Sequence, residues 1–458
     1  MKKGIIKMKT LIISIFIFLA LNLPTYSQTS RITLIECVDS ALKNKADIQA
    51  VRVDKLIAQL QTKENYTGYV PRISLGYDFR YNIVIPSQIV PVGQFNPIPT
   101  DEMRAIRFGT KWQQNAGLSL YQPLLDLSVK SHIAESRINE KLKNSDLKKA
   151  EQDLKAEVIK SFVNVWLRQQ EKTSSESDTL RTYKTLMLLE AGYEEGRVQK
   201  TDVNRAIFNH NRALTAFGSS QSELAKEKIY LSFLTGLPLK KLDESEFDFS
   251  VFEAGTLPED IPDISFDSLP AIEQLKLSAE LSLQQIRTEK SARMPVAGLE
   301  AFAGANQYSN SFEPFVSDSW YGSSYVGLSV KLPLTGDVNT RSRISQLRLR
   351  EEGLRNRLTD ERNRIISNIL RLKEEIARLR EDVRITETNK SLLEENLSLF
   401  QERYSRGQIT SYDLLNQELD LNREEASIRE TRTRMINRQL ELLQETGMTD
   451  VFLDGIRR

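Results

Sequence analysis

One cysteine and two histidines among 458 residues leave this chain little for metal or thiol chemistry. No disulfide can form within it, most zinc sites lack ligands, and a catalytic triad has almost no histidine to draw on. Cys37 lies in "ITLIECVDSALKNKADIQ" at helical spacing from Leu34 and Ala41, the place of a small buried apolar residue. His132 and His210 read the same way, His210 falling seven residues after Val203 and seven before Phe217 on a core-facing seam. Net charge is lacking too: 63 Lys+Arg stand against 62 Asp+Glu, so no nucleic-acid partner is expected. With 20 glycines, 14 prolines and 27% charged residues, the composition points to long solvated helices in preference to compact α/β layers. There is no GxGxxG, no Ser/His/Asp set and no metal cluster, so neither an enzyme nor a cofactor site is expected.

Long apolar runs are scarce as well. The one near the start, Leu11 to Leu23, follows Lys2, Lys3, Lys7 and Lys9 and precedes "PTYSQ", with Thr25 and Ser27 in the minus-three and minus-one places for cleavage before Gln28. Residues 1–27 therefore read as a secretory signal peptide starting at Met1 or Met8. The run's 13 residues fall short of the roughly 20 that a membrane-crossing helix needs. Glu36 before Cys37, well past that run, speaks against lipid attachment. No long apolar stretch follows, so the mature chain is expected to be soluble outside the cytoplasm or held in a membrane by strands.

What is present is repetition. Tyr193, Gly196 and Asp202 recur as Tyr404, Gly407 and Asp413, and Thr235-Gly236 as Thr446-Gly447, each pair 211 apart. Ile48 with Ile272 and Pro71 with Pro295 are 224 apart. The two offsets differ by 13, so the first copy carries 13 additional residues between Pro71 and Tyr193, and the chain is a tandem duplication. The expected organisation is a first repeat over 28–236, a connector over 237–266 that lacks helical periodicity, and a second repeat over 267–458.

Each copy opens with a helix and then changes period from helical to two. Ile73, Leu75, Tyr77, Phe79 and Tyr81 alternate with Arg72, Ser74, Gly76, Asp78 and Arg80, and Trp112, Ala116, Leu118 and Leu120 make a partner strand before Pro123. The second copy repeats this with Ala297, Leu299, Ala301 and Ala303, then Val326, Leu328, Val330 and Leu332. Strand pairs at about 70–123 and 295–333, each with one oily face and a cluster of aromatic residues, suit a barrel wall; four strands cannot close one, so several chains must contribute. The extra residues fit the turn of the first pair, near "PSQIVPVGQFNPIPTDEM".

Very long helical stretches follow at about 126–195 and 338–404. In the second, Ile365, Ile369, Leu372, Ile376, Leu379 and Val383 step by four and three in turn, which is coiled-coil spacing. From Arg341 to Tyr404 the 64 residues would extend roughly 96 Å at about 1.5 Å each. Gly196 and Gly407 break these helices, and shorter ones return, so each copy makes a long helical hairpin whose turn is the shared tip.

In order and spacing, these pieces resemble the TolC-like outer-membrane factors of Gram-negative bacteria. The resemblance is carried by "ITLIECVDSALKNKADIQ", by "LSLYQPLLD" and "LSVKLPLTGD" closing the strand pairs, and by the tips "GYEEGRVQKTDV" and "RYSRGQITSYDL", and it covers residues 31–447. It implies a mainly α protein with transmembrane β: a homotrimer sharing a twelve-stranded β-barrel in outer-membrane lipid, continued by a long α-helical barrel in the periplasm. It further implies a channel-tunnel of a tripartite efflux or type I secretion system, docked to a periplasmic adaptor and served by an inner-membrane transporter. Two other classes compete. An exported structural coiled coil would have no such strands, and a periplasmic adaptor normally carries a single hairpin set in β-rich modules.

On this resemblance the tip is the gate. Asp413, with Asn416 one turn later, matches a place of inward-facing acids, so three copies would form an anionic ring favouring cations. Equally, Asp413 lies three after Thr410, the spacing of a capping box. Asp202 and Tyr404 match positions that join neighbouring tip hairpins, though Tyr404 also fits as the aromatic ending the helical seam. Gly196 and Gly407 suit left-handed helix ends, and Tyr193, Arg197, Lys200, Arg406 and Gln408 around them are exposed candidates for adaptor docking.

Overall fold

The computed structural model describes residues 31–92, 97, 98, 100, 101, 103–253, 266–313, 316, 320–334 and 337–457. The signal peptide and residues 254–265 of the connector lie outside them. In chain order the first repeat gives β1 (Arg31–Ile32), α1 (Leu34–Asn44), α2 (Ala46–Tyr66), β2 (Arg72–Tyr81), β3 (Ser87–Val90), β4 (Arg104–Arg107), β5 (Trp112–Leu125), α3 (Leu127–Glu194) and α4 (Lys200–Thr235). Then come α5 (Leu239–Glu244), β6 (Glu246–Phe247) and α6 (Ser250–Glu253). The second repeat gives α7 (Pro270–Ser291), β7 (Val296–Ser309), β8 (Trp320–Lys331), α8 (Asp337–Ser405), α9 (Ser411–Glu445) and α10 (Thr449–Arg457).

The two long helices, of 68 and 69 residues, fall where the coiled-coil spacing places them. Along α8 the seam residues Ile365, Ile369, Leu372, Ile376 and Val383 are buried, and so are Val203, Leu224 and Leu231 of α4. His132 departs from expectation, because it is exposed. Its neighbour Ile133 is the buried one. Successive residues on a helix point about 100° apart, so only one of the two can face the seam. His210 is half-buried, with Nδ1 3.2 Å from the Thr182 hydroxyl.

The chain forms two compact units, each drawing on both repeats: Ala50–Lys149 with Phe266–Arg364, and the remainder. In the latter, α1 starts at Thr33, whose hydroxyl accepts the Glu36 backbone N–H at 3.2 Å, and it buries Leu34, Cys37, Val38 and Ala41. Burial, with Glu36 adding, pushes the Cys37 thiol up to about 12, so it stays protonated and inert. The connector holds more than its sequence suggests. Strand β6 pairs in parallel with β1, and Phe247, Phe249 and Phe252 surround Phe162 of α3 at 5.5–6.2 Å between ring centroids. Elements of two to six residues are too short to show a period.

In the other unit α7 is laced to the first part of α3: Glu135 accepts from the Gln285 side-chain amide and the Thr288 hydroxyl, both at 3.1 Å, and the Ser145 hydroxyl donates to Glu273 at 3.1 Å. Here too is a four-stranded antiparallel sheet in the order β2-β5-β7-β8. Its registers line up the alternation seen in the sequence. Ile73, Leu120, Ala301 and Val326 stand side by side on one face, and so do Leu75, Leu118, Ala303 and Ser324. The opposite face carries Asp78, Asn115, Asn306 and Tyr321 in one row, with the Asn115 amide donating to Asn306 Oδ1 at 2.6 Å. On that face the Phe302 ring lies across Gly117, where a Cβ would come within 2.5 Å of it. Apolar side chains on the first face are left in the open, Leu75 at 81% and Val326 at 73% exposure. Among the described residues both β2 and β8 end the sheet with an unpaired edge.

Where the extra residues of the first copy were expected, between β2 and β5, the chain forms a separate two-stranded ribbon, β3 with β4. The corresponding link between β7 and β8 spans only residues 310–319.

Candidate functional site

The two tips are built alike. After α3 the N–H of Gly196 donates to the Tyr193 carbonyl and that of Arg197 to the Gly192 carbonyl, both at 2.9 Å. After α8, Gly407 donates to Tyr404 and Gln408 to Arg403, again at 2.9 Å. Gly196 and Gly407 have φ of 72° and 71°, and nothing lies within 4 Å of a Cβ built on either. It is therefore the left-handed backbone, not lack of room, that requires glycine there.

Beyond the glycines the copies diverge. Asp413 closes a full capping box: the Thr410 hydroxyl accepts the Asp413 backbone N–H at 3.2 Å, and the Asp413 carboxylate accepts the Thr410 backbone N–H at 3.1 Å. The Thr410 hydroxyl and backbone hold its carboxyl below the usual carboxylate range. Asp202, the equivalent residue, instead accepts from the Ser411 hydroxyl of the second copy at 2.5 Å. Thus Asp413 caps its own helix while Asp202 ties α4 to α9.

The tyrosines diverge likewise. Tyr193 is exposed under the Lys200 ammonium, 5.2 Å from its ring centre. Tyr404 packs against two buried clusters, one of Leu186, Leu189, Val203, Ala206 and Leu415, the other of Leu397, Leu414 and Leu421. Burial raises its hydroxyl, with Arg197 opposing and Asp202 adding to the effect. Its ring is the shared piece between the two copies' tips. Asp202 acts on the Tyr404 hydroxyl through charge, while the carboxylate's hydrogen bond goes to Ser411. Asn416 accepts from Arg205 at 3.4 Å, and Arg205 lies over the Tyr412 ring at 4.9 Å. Arg197 pairs with Glu195 and Arg406 with Glu402, all four exposed.

Sequence reading missed Ser411 and Arg205, and, a few turns along the same helices, a charged set made by the buried Glu418 and the half-buried Arg181, Asp178 and Glu425. One signal for it exists: Glu418 falls four after Leu414 and three before Leu421, a carboxylate in a leucine seam. Among the described residues no group of His, Cys, Asp or Glu is arranged to hold a metal, and no helix is long and apolar enough to cross a membrane.

Residues 265–448 match the family of outer membrane efflux proteins. No curated protein matches the chain. Solved structures match along 90% of it: VceC from Vibrio cholerae, an outer membrane protein, with a TM-score of 0.70, 15% identity and 96% of its own length; the Campylobacter jejuni CmeC outer membrane channel, with 0.70, 14% and 85%; and the open state of the Neisseria gonorrhoeae MtrE outer membrane channel, with 0.65, 15% and 88%. The resemblance drawn from the sequence holds, and the fold is that of these channels. The family is described as one of efflux proteins, and CmeC and MtrE as outer membrane channels.

Proposed function

We propose, from the premise that the chain is a TolC-like outer-membrane factor, that it is the exit duct of a tripartite efflux or type I secretion system. The observation that carries this is the sheet: four strands, one apolar face left open, and two bare edges. Bare edges in hydrocarbon would leave backbone donors and acceptors unsatisfied, each costing several kcal/mol, so the strands must close with those of other copies. Three chains of four strands give a twelve-stranded barrel with the apolar face toward outer-membrane lipid and the Asp78/Asn115/Asn306 face toward the lumen. The long helices, each about 100 Å by their residue count, continue the duct through the periplasm. A coiled coil or an adaptor gives such a sheet no role.

The duct is passive. An inner-membrane transporter drives the flow, and a periplasmic adaptor docks at the tips around Tyr193, Gly196, Arg197, Arg406 and Gly407. The tip is the gate, with Asp202 and Tyr404 holding it shut; an open state described for MtrE supports a duct of this fold that opens and closes. The overall test is conductance. Protein extracted with detergent should behave as a trimer and form ion-conducting pores in planar bilayers; a monomer that disperses in water and conducts nothing would overturn the reading.

Three copies of Asp413 make an anionic ring at the tip and favour cations. Because the carboxyl is held low, the ring keeps its charge at neutral and mildly acid pH and loses it only as pH falls below the usual carboxylate range. Asp413→Asn preserves an acceptor for the cap but removes the charge, so the reversal potential in a salt gradient should move toward anions. An unaltered reversal potential would leave Asp413 as a helix cap only.

A further inference from the structure

We infer that Arg181 is a positioning residue of this gate: with the buried Glu418 and the half-buried Asp178 and Glu425 it forms a charge clamp tying α9 to α3, through which opening of the tip responds to acid. The inference deepens the channel reading and rests on it. Glu418, on the seam of α9 between Leu414 and Leu421, is only 3% exposed. The Thr185 hydroxyl of α3 donates to its Oε1 at 3.2 Å, and Arg181 Nε lies 3.9 Å from the same oxygen. Arg181 Nη2 reaches Asp178 at 2.5 Å, Glu425 at 3.1 Å, and Asn422. Arg181 Nε and Glu418 Oε2 are buried without a hydrogen-bond partner. Buried polar atoms left in this way are costly, so the contact is held at the expense of unmet hydrogen bonds.

Other charged and titratable groups also face the set. From α9, Arg429 acts on Asp178 while donating to the Ser174 hydroxyl at 2.6 Å. From α4, His210 is engaged with Thr182. A cavity of about 570 Å³ beside Arg181 is lined by Lys184 of α3 and the neutral Gln401 of α8, and gives protons a route in. Three carboxylates thus face two guanidinium groups and, at the cavity, the Lys184 ammonium.

Burial raises Glu418, with Arg181 and Thr185 pulling it back and Asp178 adding to the rise. Burial likewise raises Asp178 against the pull of Arg181, and Glu425 adds to that through charge and a shared hydrogen bond. When α3 and α9 part and water enters, both carboxyls return to ordinary values. The packed form therefore holds more protons across the window from ordinary carboxylate pH up to the raised values. Its penalty is present above that window and removed as pH falls through it. Acid favours the closed tip, and Asp413, held low, cannot be the source of a response in this range.

The test uses the full detergent-purified protein at pH 7.5 and 5.5, reading single-channel opening in planar bilayers and heat-induced unfolding. The unmodified protein should open less often at pH 5.5 than at pH 7.5 and unfold at a higher temperature there, because the packed form of a group whose pKa is raised gains stability as pH falls. Glu418→Gln, neutral and of the same shape, should show low opening at both pH values and a weakened pH response in both readings. Arg181→Gln should open more at pH 7.5 and be driven back by acid. A Glu418→Gln protein keeping the full pH response in either reading overturns the clamp. Absence of any conductance would sink the channel reading, and the unfolding comparison still decides the clamp.

Discussion

Arginine in place of Leu118 is expected to keep the protein out of the outer membrane. Leu118 sits on the apolar face between Leu75 and Ala303 and is exposed. In the proposed closed barrel that position would face the bilayer, where an arginine at mid-depth costs about 2–4 kcal/mol. Symmetry triples the cost to roughly 6–12 kcal/mol, as large as the whole stability of a typical domain. Ser119, the next residue, points to the other face and pairs with Phe302. Arginine there meets a water-filled lumen and should be tolerated. The check is the amount of trimer recovered from outer membranes on a gel run without boiling. The expected result is loss for Leu118→Arg and near-normal recovery for Ser119→Arg. Equal recovery of the two would mean that the apolar face does not touch lipid.

Much of this architecture was written in periodicity. A period of two marked β2, β5, β7 and β8 because each strand has one face to bury, and four-three spacing marked α8 because a seam must repeat to hold a helix of 69 residues. The shared glycines were legible because a left-handed helix end admits little else. What stayed hidden depends on partners distant in sequence. Ser411 meets Asp202 across 209 residues and Arg181 meets Glu425 across 244, and no local pattern encodes such pairs. Asp202 and Asp413 occupy the same place in the repeat and looked equivalent; which one caps its helix is decided by Thr410, where the first copy has Gln199. The ribbon of β3 and β4 escaped notice because strands of four residues amid prolines show no period.

That divergence has a mechanical reading. The duplication supplies two hairpins with the same turn, and a duct built from identical hairpins would have no preferred way to loosen. The second copy's helix is fixed by its own capping box, whereas the first copy's Asp202 is committed to a bond between copies. The Asp202–Ser411 bond is therefore the contact that joins the two copies' tips, separate from the bonds that hold either helix together.

Removing that link should open the duct. Asp202→Ala deletes the acceptor for Ser411, a hydrogen bond to a charged group contributing roughly 1.5–3 kcal/mol. Tyr404→Ala takes away the ring that packs on both leucine clusters, worth about 1–3 kcal/mol of apolar burial for a side chain only partly covered. In a trimer the combined loss is roughly 8–18 kcal/mol, well beyond the ~5.5 kcal/mol that turns a 1:99 equilibrium into 99:1. The double variant should show markedly higher single-channel conductance in planar bilayers, and cells carrying it should admit large antibiotics that the closed duct excludes. Tyr404→Phe separates the two roles of the tyrosine. If the ring is what matters, the Phe variant conducts like the unmodified protein; if the hydroxyl joins a neighbouring subunit, it conducts nearly as well as Tyr404→Ala. Unchanged conductance in the double variant would place the barrier elsewhere than at this contact.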